Sequence, residues 1–415
     1  MTTLIEIAQA AKIASRISAN LDENTKNQVL NAIADALITN SSKIITQNQL
    51  DLALAKQNNM NEALLDRLTL THQRVNDLAL GVKQISDLAD PINEIIDEWI
   101  SPDGLNIKKI RVALGVIGMI YEARPNVTVD AATLAFKAGN AIILRGSSSA
   151  FNTNLILVEI MRKVLIDHSI NPDIICLLSD LSRDAVNKML KLRDYIDLIV
   201  PRGGASLIND VVNNATVPIL ETGTGNCHIY IDENADYQTS ANIVLNAKTQ
   251  RPGVCNAVET VLINQNWPYA NIQLLITTLL EHKVELYGDQ FLCANFKQVK
   301  LASETDWQTE YLALVLAIKM VDDIDAAIAH INKYGTKHTE CIITANKENA
   351  KMFQRDIDAA VVNVNASTRF TDGFMFGFGA ELGISTQKTH ARGPMGLKEI
   401  TSYKYLVTGQ GDIRK

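Results

Sequence analysis

One cysteine stands in a context suited to a nucleophile. Cys255 lies in the run Thr-Gln-Arg-Pro-Gly-Val-Cys-Asn-Ala-Val-Glu-Thr, residues 249–260, between a Pro-Gly turn and an apolar, β-branched stretch. A thiol held at the start of a strand is directed by its backbone, and a thiolate adds readily to an acyl carbon. The alternative is a buried structural cysteine, which is the more common fate of a free thiol.

Three other side chains occur in an order that suits the same chemistry. The amide of Asn126 can donate to an oxyanion together with the backbone N–H of Cys255, although a turn asparagine is the alternative. Glu221 precedes Cys255 by thirty-four residues, and Glu310 follows it. Together they predict attack of a thiolate on an acyl group, with a nicotinamide coenzyme exchanging hydride with the resulting thioester.

These residues resemble the aldehyde dehydrogenase superfamily in type and order, as does the glycine-rich stretch Phe374–Gly383. Further segments narrow the resemblance to the subfamily that reduces gamma-glutamyl phosphate, and the match covers nearly the whole chain. The segments that carry it are Tyr121–Asp130, His330–Glu340, Asn365–Asp372 and His390–Leu397.

The resemblance implies a reaction and a role for each residue. It implies NADPH-dependent reduction of L-glutamyl 5-phosphate to L-glutamate 5-semialdehyde and phosphate through a thioester on Cys255, the second step of proline biosynthesis from glutamate. Asn126 is then the oxyanion donor, and Glu310 holds the nicotinamide ribose unless it is a solvated charge. Glu221 either assists protonation of the thiol or caps the Thr-Gly-Thr-Gly turn after it. The alternatives are an oxidative aldehyde dehydrogenase and a non-catalytic scaffold relative.

Coenzyme binding is predicted away from the obvious glycine pairs. No Gly-x-Gly-x-x-Gly follows the first strand, and the pairs Gly223/Gly225 and Gly377/Gly379 lack the helix start that such a motif needs. We therefore expect these glycines to allow tight backbone turns and not to bind the coenzyme.

The resemblance instead places the adenosine ribose near Arg145, Ser147 and Ser148, and the pyrophosphate near Arg202 and Gly203. Small residues at a helix start let backbone N–H groups approach an anion. Ser148 stands where NAD-preferring relatives often carry an acid. Without that carboxylate a 2′-phosphate is not repelled, which favours NADPH as the coenzyme.

The amino-acid end of the substrate is predicted to meet a polar loop. Ser367, Thr368 and Arg369 follow an apolar strand at 360–364, and such loops commonly bind ligands. Arg369 can grip a carboxylate in a bidentate fork, and a structural ion pair is the equal alternative. His338 is assigned to the substrate side as well, with a supporting role at least as probable from the pattern.

Composition indicates an ordinary globular protein of about two domains. The chain has 415 residues, of which 47% are hydrophobic and 20% are charged, enough for a large core. A net charge of −7 without a Lys/Arg block argues against a nucleic-acid surface. We expect a small-molecule substrate, and an anionic one needs locally placed cations.

Cysteine usage and hydropathy predict a cytoplasmic protein. Five cysteines without a Cys-x-x-Cys pair indicate neither a zinc site nor a disulfide framework, and are typical of reduced thiols. The first residues lack the unbroken apolar stretch of a signal peptide, and no segment reaches the ~18 uncharged apolar residues of a membrane span. We expect no metal and no membrane or nucleic-acid partner.

Alternating strands and helices predict an α/β fold. Residues 3–90 carry apolar side chains at helical spacing, and a Ser-Pro-Asp-Gly turn at 101–104 precedes apolar residues up to 120. Beyond them, strands alternate with helices as in parallel sheets. The predicted strands are 112–121, 141–144, 173–178, 196–200, 217–220, 227–231, 257–264, 312–318, 340–344 and 360–364. The predicted helices are 128–138, 150–167, 183–190, 204–214, 235–247, 268–282, 322–333 and 346–355.

The resemblance divides this α/β fold into a Rossmann-like cofactor domain, an α/β catalytic domain and a β oligomerisation arm. Tyr403, Tyr405 and Val407 alternate with other residues as an added strand would, and an ordinary edge strand within the subunit is the equal alternative. A homo-oligomer and a transient contact with glutamate 5-kinase are implied. The expected bounds are 1–98 and 117–223 for the cofactor domain, 224–375 for the catalytic domain, and 99–116 with 390–415 for the arm.

Overall fold

A computed structural model describes residues 3–414; the first two residues and the last, which fall in the predicted cofactor domain and arm, lie outside the described residues. The chain forms two compact units. The first unit takes in the chain up to Thr222 with Gly377–Gly383 and the chain from Pro394 onward, and the second is Gly223–Phe376 with Ile384–Gly393. The start of the predicted arm, residues 390–393, thus lies in the second unit.

Fourteen α-helices lie within residues 3–414. They are α1 (Leu4–Ser18), α2 (Glu23–Thr39), α3 (Ser41–Gln57), α4 (Glu62–Leu68), α5 (His72–Asp87), α6 (Pro125–Lys137), α7 (Phe151–Asp167), α8 (Arg183–Met189), α9 (Ala205–Asn214), α10 (Tyr237–Thr249), α11 (Tyr269–Glu281), α12 (Gln290–Asn295), α13 (Ile324–Tyr334) and α14 (Lys347–Asp356).

The same residues contain sixteen strands. They are β1 (Ile95–Ile100), β2 (Asn106–Ala113), β3 (Val116–Tyr121), β4 (Ala141–Arg145), β5 (Ile175–Leu177), β6 (Leu198–Arg202), β7 (Cys227–Ile231), β8 (Val258–Asn264), β9 (Glu285–Gly288), β10 (Lys300–Leu301), β11 (Val315–Val321), β12 (Thr339–Ile343), β13 (Val361–Val364), β14 (Ile384–Ser385), β15 (Gly393–Pro394) and β16 (Thr401–Thr408). The predicted α/β fold class is confirmed.

The first unit begins with the predicted helices. Thr3 and Glu6 form a capping box that satisfies the free N–H groups at the start of α1. In α2 the apolar residues at helical spacing, including Val29, Ile33 and Leu37, are buried as expected. A four-stranded parallel sheet follows in the order β5-β4-β3-β6. Every residue of β3 is buried, as in a parallel sheet covered on both faces.

A three-stranded antiparallel sheet completes the first unit, in the order β1-β2-β16. Strand β16 pairs with β2 of the same chain, with Tyr403 opposite Arg111 and Tyr405 opposite Lys109. The rings of Trp99 and Tyr405 meet edge to face at 6.0 Å. The segments assigned to the arm therefore pair with each other within the chain.

The second unit is built on a seven-stranded parallel sheet in the order β10-β9-β11-β8-β7-β12-β13. Two apolar clusters pack against it, one around Trp267 and one around Phe353. Strands β7, β8 and β12 are buried throughout.

Three corrections to the predicted elements follow from the structure. The predicted strand 112–121 is interrupted, since β2 ends at Ala113 and β3 begins at Val116. Residues 217–220 do not form a strand: Ile219 makes only an isolated bridge to Ile199. The short elements β9, α12 and β10 were missed, because Glu285–Gly288 and Lys300–Leu301 are too short, and carry too many exposed residues, to show a strand pattern.

Among the described helices, none is long and apolar enough to cross a membrane.

Candidate active site

Cys255 lies in a turn just before β8, at the amino end of a central strand of the second unit's sheet. The turn is closed by a hydrogen bond from the N–H of Ala257 to the carbonyl of Val254, 3.0 Å. The Cys255 residue is half-buried, and its carbonyl accepts from Sγ of Cys227 at 3.2 Å. The strand therefore anchors the backbone while part of the residue faces solvent.

The other four cysteines are poorer nucleophiles by environment. Burial raises the pKa of Cys176 and of Cys341 to about 12. It raises the pKa of Cys227 well above its usual value, and also raises that of Cys293. A raised pKa lowers the fraction of thiolate at neutral pH, and the thiolate is the form that attacks. These four environments favour Cys255 as the reactive thiol.

Gly225 joins the cysteine loop to Glu310. A Cβ placed on Gly225 would lie 1.5 Å from the carbonyl oxygen of Cys255, so only glycine fits there. The N–H of Gly225 donates to Oε1 of Glu310 at 2.7 Å. Burial raises the pKa of the Glu310 carboxyl. The structure thus brings Cys255 and Glu310 together through one glycine, a role that the sequence pattern did not reveal.

The predicted substrate loop wraps around the residue after the nucleophile. Thr368 is buried, and its hydroxyl donates to the carbonyl of Asn256 at 2.6 Å. The side-chain amide of Asn256 donates to the carbonyl of Thr371 at 2.8 Å. The buried hydroxyl of Ser367 accepts from the N–H of Arg369 at 3.3 Å. The two hydroxyls therefore hold the loop in place, which differs from direct substrate contact.

Arg369 lies within electrostatic reach of Cys255 and of a second cation, Arg251. Its side chain is half-buried, and Nε donates to Oε1 of Gln250 at 2.9 Å. Burial lowers its pKa, and the neighbouring charge of Arg251 lowers it further, while Asp372 and, to a smaller extent, Cys255 act in the opposite direction. Two guanidinium groups near a thiol favour the thiolate and any anionic ligand. Arg251 was not singled out from the sequence, although it belongs to the same run as Cys255.

His338 is fully buried at the start of β12. Its Nδ1 lies 2.8 Å from Oγ1 of Thr339 and 3.8 Å from Sγ of Cys227. His338 is also close enough to Glu310 to lower the pKa of that carboxyl, against the larger effect of burial. These contacts favour a role in supporting the site over direct contact with substrate.

Asn126 lies in the first unit, at the second position of α6, and its side chain is exposed. Nδ2 donates to Oδ2 of Asp130, one helical turn later, at 3.1 Å. Burial raises the pKa of Asp130 to about 6, although this hydrogen bond opposes the shift. The residue is therefore a helix residue and not a turn asparagine. Its amide is oriented by a carboxyl group.

The predicted ribose site follows β4 in the first unit. Nη2 of Arg145 donates to the carbonyl of Leu181 at 2.6 Å, whereas its buried Nε has no partner among residues 3–414. The hydroxyl of Ser147 accepts from the N–H of Ser149 at 3.2 Å, and Ser148 is exposed. An orphaned guanidinium N–H beside an exposed serine fits an added anionic group.

The predicted pyrophosphate site holds an acid of the chain itself. Arg202 ends β6, and α9 starts two residues after Gly203. Oε1 of Glu122 accepts from the N–H of Gly204 at 3.0 Å, and a Cβ on Gly203 would lie 2.7 Å from the Glu122 carboxyl carbon. A carboxylate at a helix start competes with any phosphate there. The sequence pattern did not reveal this position of Glu122.

Glu221 and the glycine pair Gly377/Gly379 lie in segments that form neither helix nor strand. Glu221 is half-buried in a segment without regular secondary structure, and the hydroxyl of the next residue, Thr222, donates to the carbonyl of Pro201 at 2.8 Å. Gly377 and Gly379 have φ of +77° and +73°, which serves backbone turns.

Comparison with known proteins agrees with this arrangement. The model of the aldehyde dehydrogenase family matches residues 2–286 and 296–406. The chain therefore belongs to the aldehyde dehydrogenase family.

Within that family the chain is similar to proteins named gamma-glutamyl phosphate reductase. It is 55% identical to the one from Geobacillus sp. (strain WCH70) over 414 residues, which cover 100% of both chains. It is 53% identical to the one from Thermoanaerobacter sp. (strain X514), covering 98% of this chain and 99% of that one. The crystal structure of gamma-glutamyl phosphate reductase from Thermotoga maritima superposes with a TM-score of 0.97 and 44% identity, covering 100% of both chains.

Proposed function

We propose that this enzyme reduces L-glutamyl 5-phosphate to L-glutamate 5-semialdehyde and phosphate, with NADPH as the reductant and Cys255 as the nucleophile. The observation that carries the proposal is a half-buried cysteine whose carbonyl packs against Gly225, with Arg369 near enough for the charge of Cys255 to raise the pKa of its guanidinium. The relatives at more than 50% identity carry a name that describes this reaction. The reaction places the enzyme in proline biosynthesis from glutamate.

The chemistry needs little from the protein beyond a nucleophile and charge stabilisation. The Cys255 thiolate attacks the phosphorylated carbonyl carbon, and the bond to the phosphate oxygen breaks with departure of inorganic phosphate, a good leaving group. The thioester carbon is then reduced to the level of the aldehyde, and the thiolate is released. Asn126 is the proposed side-chain donor to the oxyanion, and one such donor is typically worth about 3 kcal/mol in the transition state.

Arg369 and Arg251 are the proposed cations for the substrate. Both lie close to the cysteine loop, and Arg369 is partly desolvated. A half-buried guanidinium binds a carboxylate more strongly than a fully solvated one does. We assign Arg369 to the α-carboxylate of the glutamyl group, on a loop that Ser367 and Thr368 hold in place. A glutamate that activated water would hydrolyse the thioester and defeat the reaction. We therefore assign Glu221 to assisting protonation of the thiol.

NADPH is the proposed coenzyme, and it supplies the hydride for reduction when bound. Arg145 offers an N–H without a partner among the described residues, and Ser148 leaves its position free of an acid. Glu310 is assigned to the nicotinamide ribose, and Arg202 and Gly203 to the pyrophosphate. Glu122 caps the backbone N–H of Gly204 and must yield if phosphate oxygens bind there.

The reverse reaction tests the proposal most directly. Glutamate 5-semialdehyde, phosphate and NADP are mixed with enzyme, and NADPH formation is followed by absorbance. The proposal requires that the rate depend on phosphate. Formation of NADPH at the same rate without phosphate would instead establish an oxidative aldehyde dehydrogenase.

We further propose a homo-oligomer in the cytoplasm. The three-stranded sheet of the first unit exposes large apolar side chains, among them Trp99, Tyr405 and Val407, as surfaces that bury against a partner do. The cysteines are free, as in a reducing compartment. Light scattering during gel filtration measures the assembly. A transient contact with glutamate 5-kinase stays a prediction, since no described feature tests it.

A further inference from the structure

A fully buried ion pair lies beneath the nucleophile loop. Lys248 is in the last turn of α10 and Glu259 is the second residue of β8, so the two residues bracket the loop 250–257 that carries Cys255. Their charged atoms, Nζ and Oε2, are 2.6 Å apart, and both side chains are 0% exposed. The pair therefore ties the end of the helix to the start of the strand across the loop.

The same two side chains reach the segment that follows Glu310. Nζ of Lys248 also donates to the carbonyl of Ala313 at 3.2 Å, and the N–H of Leu312 donates to Oε1 of Glu259 at 3.2 Å. Leu312 has φ of +54°, a left-handed conformation that a branched side chain adopts only when its surroundings hold it there. One ion pair thus links the two ends of the cysteine loop and also contacts the chain two to three residues beyond Glu310.

Stability alone does not account for such a pair. Burial raises the pKa of Glu259 to about 7 and lowers the pKa of Lys248, so burial works against the charged form of each group. Well-packed apolar residues in place of a buried ion pair are often neutral or stabilising.

We propose that Lys248 and Glu259 are positioning residues, which hold the loop of Cys255 in register with the segment of Glu310. The inference rests on the proposed function, because it assigns the nucleophile to Cys255 and the nicotinamide ribose to Glu310. The hydrogen bonds of the pair to Leu312 and Ala313 reach the backbone that follows Glu310. The pair acts on the backbone that carries Cys255 and Glu310.

The test replaces both charges at once. The variant Lys248→Met/Glu259→Leu leaves no unpaired charge in the core, and we expect it to fold with a melting temperature near that of the parent. We expect kcat to fall about tenfold or more, since a small misplacement of reacting groups is costly, while the KM for glutamate semialdehyde changes less than about threefold. A parent-like kcat in the folded variant would overturn the proposal.

Hydrogen exchange in the coenzyme-free enzyme gives a readout that needs no activity. We expect faster amide exchange at 250–257 and at 310–314 in the variant, and unchanged exchange elsewhere in the second unit. Loss of kcat with parent-like exchange at both segments contradicts positioning. If the parent itself shows no phosphate-dependent turnover, the proposed function fails, whereas the exchange data still decide whether the pair positions the two segments.

Matched variants complete the experiment. The ion pair Lys26–Asp90 of the first unit, 2.7 Å apart with a fully buried lysine and an aspartate that is 11% exposed, serves as control, and Lys26→Met/Asp90→Leu should keep the parent kcat. If the double variant at 248 and 259 does not fold, Glu259→Gln replaces it, because glutamine keeps the volume and an oxygen for the N–H of Leu312. Faster exchange at 250–257 in that variant supports the proposal, and parent-like exchange with parent-like kcat refutes it.

Discussion

The contact between Gly225 and the nucleophile loop makes Gly225→Ala the sharpest available perturbation. The added Cβ would lie 1.5 Å from the carbonyl oxygen of Cys255, whereas close carbon–oxygen contacts are about 3.3 Å. The two backbones must therefore separate by about 1.8 Å. If they share the movement equally, the backbone of Cys255 shifts by about 0.9 Å, and a misplacement of ~1 Å can cost about 100-fold in rate.

The expected result is a folded variant with little turnover. We predict that kcat in the phosphate-dependent reverse reaction falls about 100-fold, and that overpacking lowers the free energy of unfolding by about 1–3 kcal/mol. The hydrogen bond from the N–H of Gly225 to Glu310 weakens with the same movement. Turnover is followed by NADPH absorbance, and unfolding by circular dichroism in urea.

Gly253→Ala is the matched control in the same loop. The nearest atom to its added Cβ is the carbonyl oxygen of Leu312 at 3.7 Å, an ordinary contact. We expect this variant to keep kcat within about threefold, since nothing has to move. A Gly225→Ala enzyme with the kcat of the Gly253→Ala enzyme would refute the argument that Gly225 sets the position of Cys255.

Four other predictions follow from the site. Cys255→Ser should abolish reduction while NADPH binding, measured by fluorescence, persists; an equal loss in Cys293→Ser would remove the distinction between the two thiols. NADPH should have a higher kcat/KM than NADH, and Arg145→Ala should reduce that preference by about 1.5–3 kcal/mol, whereas equal losses with both coenzymes would make Arg145 structural. Arg369→Ala should raise the KM for glutamate semialdehyde by the equivalent of roughly 2 kcal/mol, near the lower end of the range for a buried charge contact, because the side chain is only half-buried. The KM for a small aldehyde without a carboxylate should not change. An unchanged KM for glutamate semialdehyde would assign its carboxylate to another group. Asp130 has a pKa of about 6 against 3.8 for the ordinary group, so between these pH values the folded state keeps a proton that the unfolded state loses. The contribution of this group to the free energy of unfolding is therefore complete below about pH 4, and it falls by at most about 3 kcal/mol as the pH rises through 6. Asp130→Asn should flatten that fall in urea titrations between pH 4 and 6, and an undiminished slope would place its origin elsewhere.

The strands of the two parallel sheets were predictable because burial on both faces leaves a continuous apolar run. The sequence pattern located β7 and β8 to within one residue of their observed bounds, Cys227–Ile231 and Val258–Asn264. Glu285–Gly288 escaped because it is four residues long and carries an exposed glutamate. Its place in the sheet depends on pairing with β10 and β11, which local sequence does not encode.

The chemistry-bearing residue types could be recognised one at a time, but their mutual contacts could not. Gly225 was set aside as a backbone glycine, and its contact with Cys255 joins positions thirty residues apart. Thr368 was expected to face substrate, yet its hydroxyl is bonded to the carbonyl of Asn256. Hydroxyl groups suit both tasks, and the choice depends on which carbonyl the folded loop brings within reach.

The partners of charged residues were the hardest contacts to predict from sequence, because a charged side chain is expected to face solvent. Lys248 lies on a helix whose polar positions suggest a solvent face, yet the side chain is fully buried against Glu259. Glu122 lies beside the predicted pyrophosphate position, where its own carboxylate already caps the N–H of Gly204. A charge in the core or at a helix start is costly or competitive unless it has a partner. Such partners are brought together only by the folded chain. In this enzyme both residues lie near proposed functional groups: Lys248 is under the nucleophile loop, and Glu122 is at a proposed coenzyme contact.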